Sequence, residues 1–234
     1  IYSCVLEKKK DKTPGEIAEE IVSAKSLGVA YLEENELDSA EAQFEKLIEL
    51  APQDASGYAN LGVVYLRMGK NDIAENNLKK AVGLDPDDPD IRLNLAKAYE
   101  LNNDKEASFE MLKKNEEIAP DHVKTLYSIA EKYEGENDAQ SMAGWESYMR
   151  KIVDKVPRNI VARLYFIEAL LRNGNGDEAL KNLEESQQIF PELPTGATEY
   201  FDQAGKLLHK KQVKEALTPL LILHNCLKLT PDYH

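Results

Sequence analysis

The sequence predicts an all-α, right-handed superhelical solenoid of antiparallel helix pairs, and three observations carry that expectation. Pro52, Pro86 and Pro120 are spaced by 34 residues, Pro157 follows after 37 and Pro191 after another 34. Self-similarity at such a period marks a repeat architecture. Within each period apolar residues recur at helical spacing, as in Tyr58, Leu61, Val64 and Tyr65 and then Ala74, Leu78, Ala81 and Val82. Between the two runs lies a breaker, Met68 to Asp72, whose Gly69 can take the left-handed conformation that ends a helix. Each unit is therefore helix, tight turn, helix, stopped by a proline that lacks the N–H. One such pair cannot bury its apolar stripe alone; stacked pairs can, and they leave a concave face.

The elements follow in order. Thr13-Pro14-Gly15-Glu16 is a capping box with proline at the first helical position, so the first helix runs from about Pro14 to Glu33. Residues 1–13, with the run Lys8-Lys9-Lys10, read as a flexible N-terminal tail. Residues 14–193 hold five clear units, with unit starts at Ile21, Ala55, Pro89, Val123 and Ile160. The fourth unit has three extra residues around Glu134 to Gly144, expected to lengthen the turn or the end of its first helix. There Trp145 takes the place of a small residue, and the insertion reads either as a surface elaboration or as a ligand-gripping loop.

Residues 194–234 form a degenerate sixth pair that caps the stack. Its first helix carries Ala197, Tyr200, Phe201, Ala204, Leu207 and Leu208 on one stripe. Its second, from about Val213, has too many apolar residues for one stripe, which predicts burial on two sides. Leu217, Leu220, Leu221, Leu223 and Leu227 are accordingly interface candidates, facing a second copy or a further C-terminal domain. The rival reading is that Pro219 bends the helix so that both faces meet the sixth pair.

Laid under one another, the units share more than prolines. Leu27-Gly28-x2-Tyr31 recurs as Leu61-Gly62-x2-Tyr65, Leu95-Ala96-x2-Tyr99 and Ile129-Ala130-x2-Tyr133. Ala40, Ala74, Ser108 and Ala179 are followed four residues later by Phe44, Leu78, Leu112 and Leu183. The pattern resembles the tetratricopeptide repeat over about three-quarters of the chain. That resemblance implies a non-catalytic protein-interaction scaffold whose ligand lies along the first helix of each unit. The corresponding positions here are Lys25, Asn60, Val63, Arg67, Leu93, Asn94, Lys97, Lys124, Tyr127, Glu131, Tyr165 and Arg172, with Leu164 and Glu168 beside them. Asn60 and Asn94 share one position in successive units, and an Asn amide offers both donor and acceptor to a peptide backbone. In similar repeat proteins such Asn residues hold extended peptides. Of the family's five-residue clamp for a peptide C-terminus only Lys25 and Asn60 match. Val29, Asp90 and Asn94 stand where Asn, Lys and Arg would be, which argues against a tail receptor of that type.

Composition narrows the function further. The chain has 234 residues, 29 Lys plus Arg against 42 Asp plus Glu, and a net charge of -13. That balance argues against a general nucleic-acid binder and against docking on anionic lipid through a polybasic patch. No apolar run reaches the ~18 residues of a membrane-spanning helix. Cys4 and Cys226 cannot form a disulfide framework. His122, His209, His224 and His234 include no pair at helical metal-ligand spacing. Asp85 to Asp90, DPDDPD, lacks the glycine and distal glutamate of a calcium loop and reads as a repeat junction. No catalytic residue, metal site or cofactor is expected. The partner is a protein or peptide, held in the concave groove. The alternative is an assembly subunit that dimerises, or docks to a larger complex, through the C-terminal helices. Localisation stays open: Ser3-Cys4 suits the end of a bacterial lipoprotein signal and an extracytoplasmic setting, and otherwise reads as an incidental tail cysteine.

Overall fold

A computed structural model describes residues 12–134, 138–190, 193–194 and 196–228. The Lys8-Lys9-Lys10 run, Ser3-Cys4, Pro191 and residues 229–234 lie outside the described residues. Among the described residues there are twelve α-helices and no strand, an all-α helical-repeat fold. The chain divides into two compact units, Ile1–Ile118 and Ala119–His234, a different division from one at residue 193.

The first unit holds α1 (Pro14–Glu33), α2 (Leu37–Leu50), α3 (Ala55–Arg67), α4 (Asn71–Leu84), α5 (Pro89–Leu101) and α6 (Lys105–Ile118). Helix α1 begins where the capping box places it: Thr13 Oγ1 accepts from Glu16 N at 3.2 Å, and Thr13 N donates to Glu16 Oε2 at 2.7 Å. The pairs turn on a left-handed residue at one repeating position, Asn35 (φ 60°), Gly69 (φ 73°) and Asn103 (φ 63°). At each, the following N–H reaches back to the carbonyl of the repeat tyrosine, as from Lys70 N to Tyr65 O at 2.9 Å.

Small residues set the approach of each pair. A Cβ on Gly62 would stand 2.5 Å from Leu78 Cγ, and one on Gly28 would stand 2.6 Å from Phe44 Cε1. Gly62→Val is therefore expected to destabilise the first unit by about 1–3 kcal/mol, the ordinary cost of overpacking a filled core. Urea unfolding measures it, and an unchanged midpoint would contradict the close approach. Pairs are joined by a further device that the sequence reading missed. Glu41, Glu75 and Glu146 share one position on the second helix of their pairs. Each carboxylate accepts from the next pair: from Tyr65 Oη on its first helix at 2.8 Å, and from Asn102 Nδ2 and Asn173 Nδ2, which cap the ends of such helices, at 2.6 and 2.7 Å. Burial first, then the bond to Glu41, pushes the Tyr65 phenol up to about 12, so it stays a donor.

The second unit holds α7 (Val123–Glu131), α8 (Ala139–Lys155), α9 (Ile160–Arg172), α10 (Gly176–Ile189), α11 (Ala197–His209) and α12 (Val213–Lys228). The insertion lengthens the turn, one of the two expected outcomes, and not the end of the first helix. Helix α7 stops at Glu131 after 9 residues where α3 has 13, and α8 runs for 17 where α4 has 14. So the turn lengthens at the expense of the first helix, and the net gain goes to the second. Residues 135–137 of the insertion lie outside the described ones. Trp145 is 4% exposed, and Gly144 beside it accommodates the ring of Tyr133.

The last pair corrects the interface expectation. Helix α12 packs on α11 and also on α9, the first helix of the preceding pair. Leu220, Leu223 and Leu227 are at most 1% exposed inside the chain, so they are core and cannot face a partner. Leu217 and Leu221 are half-buried. Most of the apolar residues on α12 are absorbed by two helices of its own unit, while Ile222 stays exposed.

Candidate functional site

The first helix of each pair carries the expected ligand positions, and in the first unit the structure gathers four of them. Lys25 on α1, Asn60 and Val63 on α3 and Asn94 on α5 line one groove of about 510 Å³. The turns preceding α3 and α5 complete its wall with Asp54, Asp85 and Asp88, and Asp90 lies at the start of α5. These aspartates are there for a local reason. Asp54 caps α3 by accepting from Ser56 N at 2.8 Å, and Asp88 caps α5 by accepting from Asp90 N and Ile91 N at 2.8 and 3.0 Å. Part of the acidic run DPDDPD is thereby committed to helix capping.

The groove mixes charge and amide. Burial works to raise the Asp54 carboxyl, but bonds from Ser56 and the charge of Lys25 outweigh it and hold it below the usual carboxylate range. Asn60 spends one N–H on its own helix, donating from Nδ2 to Ser56 O at 2.8 Å. Its Oδ1 and second N–H remain to meet a ligand. Asn94 makes no side-chain hydrogen bond among the described residues and opens into the same groove.

Other expected positions do not join it. Arg67 Nη1 donates to Leu32 O at 2.6 Å and so closes the end of α1 instead of offering its charge to a ligand. Leu93 and Lys97 lie on α5 outside the groove lining. In the second unit Lys124 is exposed on α7. Leu164 and Glu168 are 0% and 5% exposed, which removes both from a ligand-facing surface. Helix α12 helps cover that part of α9: the His224 ring stands edge-on to Tyr165 with centroids 4.1 Å apart, and its Nδ1 is 3.9 Å from Glu168 Oε2. Arg172 donates to Glu168 Oε1 from Nε at 2.9 Å and Nη2 at 2.7 Å. Its guanidinium lies 5.8 Å from the Trp145 ring centroid.

Tyr127, Glu131 and Tyr165 do come together. With Ala130, Glu134, Trp145 and Met149 they line a second, smaller hollow of about 60 Å³. The sequence reading had Trp145 only as an anomaly of the repeat pattern. Its place in the hollow depends on the shortened α7 and on α8 packing beside it, which spacing alone does not reveal.

Known proteins now add their evidence. Residues 28–69 match a family model described as TPR repeat, and residues 65–130 match a second described as tetratricopeptide repeat. No curated protein matches the sequence. Among solved structures, the Pseudomonas aeruginosa pilF protein is similar at a TM-score of 0.65 and 15% identity, over 92% of this chain and 94% of that one. The MamA protein is similar at 0.57 and 20% identity, over 74% and 92%. YrrB, described as a TPR protein with an unusual peptide-binding site, is similar at 0.51 and 17% identity, over 74% and 89%. At these identities the likeness concerns the fold. The 34-residue pattern, the paired helices and the two family matches agree, and residues 28–130 of the chain are tetratricopeptide repeats.

Proposed function

We propose that the chain is a protein-interaction scaffold, not an enzyme, and that its first unit holds an extended peptide in the groove of Lys25, Asn60, Val63 and Asn94. The observation that carries this reading is the convergence of Asn60 and Asn94 on one concave surface with unspent amide groups. Two amides one repeat apart bind a peptide main chain without reading its side chains. The groove's single lysine faces four aspartates, so side chains on the bound segment that favour the site are basic. The peptide-binding site described for YrrB lends support by analogy of fold. An assembly role through α12 loses its main ground, because Leu220, Leu223 and Leu227 are already covered.

The test is a display selection of unstructured peptides on the intact protein, followed by calorimetry of the selected binders. Asn60→Ala with Asn94→Ala is expected to weaken binding about tenfold, the loss of roughly one net hydrogen bond or more. Equal affinity for a double variant that melts like the wild type would overturn the groove assignment.

A further inference from the structure

We propose that the hollow between Tyr127, Trp145 and Tyr165 in the second unit is a recognition site for a primary alkylammonium head, the chemistry that ends a lysine side chain. It is separate from the peptide groove of the first unit and is tested independently of it.

The hollow is lined by buried apolar residues at its base and by acidic residues at its edge. Its deepest residues, Ala130, Trp145 and Met149, are 1–4% exposed and apolar. Two half-buried tyrosines stand beside the tryptophan, and Glu131 and Glu134 are exposed at its edge. Three aromatic residues border one small volume, and aromatic rings attract a cation that has left part of its water behind. The two carboxylates add the long-range charge and hydrogen-bond acceptors that an –NH3+ group needs.

Charge bookkeeping leaves the site negative. Arg172 already lies near the Trp145 ring, an arrangement in which that ring meets a cation, but Arg172 is matched by its bonded partner Glu168. Glu131 and Glu134 are the acidic members of the lining, and among the described residues the lining contains no basic one. Burial first, then the neighbouring Tyr165, pushes the Tyr127 phenol up to about 12. It is neutral at physiological pH and keeps its O–H. Size selects among cations. The hollow is small, about 60 Å³, which suits a single head group and not a bulky side chain.

Trp145 is the chain's single tryptophan, so its fluorescence reports on the site without labelling. The probe is n-butylammonium, titrated into the intact protein, with 1-butanol as the neutral control of similar shape. Saturable change with the cation is expected, with a dissociation constant on the order of millimolar for so small a ligand. The alcohol is expected to bind at least about fivefold more weakly. Glu131→Gln with Glu134→Gln is expected to weaken the cation about fivefold or more while the melting temperature holds. A capped Gly-Lys-Gly peptide and putrescine, titrated in parallel, distinguish a protein side chain from a free diamine as the source of the head group. Absence of saturable binding by n-butylammonium, or equal binding by 1-butanol, overturns the proposal on the wild-type protein alone.

Discussion

Leu223→Ala is expected to lower the stability of the second unit by about 2–5 kcal/mol, the range for truncating a fully buried leucine. Leu223 is 0% exposed, and Leu220 and Leu227, one turn to either side of it, are 1% and 0% exposed. Helix α12 lies against both α11 and α9, so the lost methyl groups leave a cavity between three helices. Urea unfolding followed by Trp145 fluorescence reads this unit, since Trp145 lies on α8. Had the leucine faced a partner, as the composition of the helix first suggested, truncation would weaken self-association and leave the monomer's stability nearly unchanged. Light scattering on the same samples separates the two outcomes, and an unaltered unfolding midpoint would contradict the packing described above.

Arg172→Met is expected to cost about 1–3 kcal/mol, a range set by the buried partner and reduced by the arginine's own exposure. The reason lies in its partner. The Glu168 side chain is 6% exposed and the Arg172 side chain 38%. Losing the guanidinium leaves a buried carboxylate without its two strongest donors, whereas losing the carboxylate leaves a cation that can turn toward water. Glu168→Gln is therefore expected to be the milder change, and the double variant to recover much of the loss from Arg172→Met. Thermal denaturation of the three variants as a cycle checks the asymmetry. Equal costs for both single variants would show that Glu168 is not the buried partner.

Much of the first unit was legible in the sequence because its information is local. The capping box marked the start of α1 to the residue, and the resemblance to the tetratricopeptide repeat pointed to Lys25, Asn60, Val63 and Asn94, which line the groove. Periodicity reports which face a residue takes, and it succeeded wherever one helix face decides the outcome. It failed where a second element intervenes. Arg67 has the right register for a ligand, but a carbonyl at the end of α1, 35 residues earlier, claims its guanidinium. Leu164 and Glu168 have that register too, and the α9 surface they share is packed by α12 from over fifty residues later. The aromatic hollow escaped notice for the same reason. Trp145 breaks the repeat pattern, and only the shortened α7 together with Tyr165 from the next pair gives it a role. The glutamates that tie one pair to the next were readable, since Glu41, Glu75 and Glu146 repeat in register. Acidic residues on helices are so common here that the register passed as solvated surface.

The central claim is that a peptide lies on α1, α3 and α5 of the first unit, along Lys25, Asn60 and Asn94. The most direct measurement is a nuclear magnetic resonance titration of the isotope-labelled protein with a display-selected peptide, following backbone amides and the side-chain NH2 groups of asparagine. The account expects the largest shifts at the Asn60 and Asn94 side-chain amides, with smaller shifts at Lys25 and Val63. Shifts confined to α2, α4 and α6, with the two asparagine amides unmoved, would contradict it.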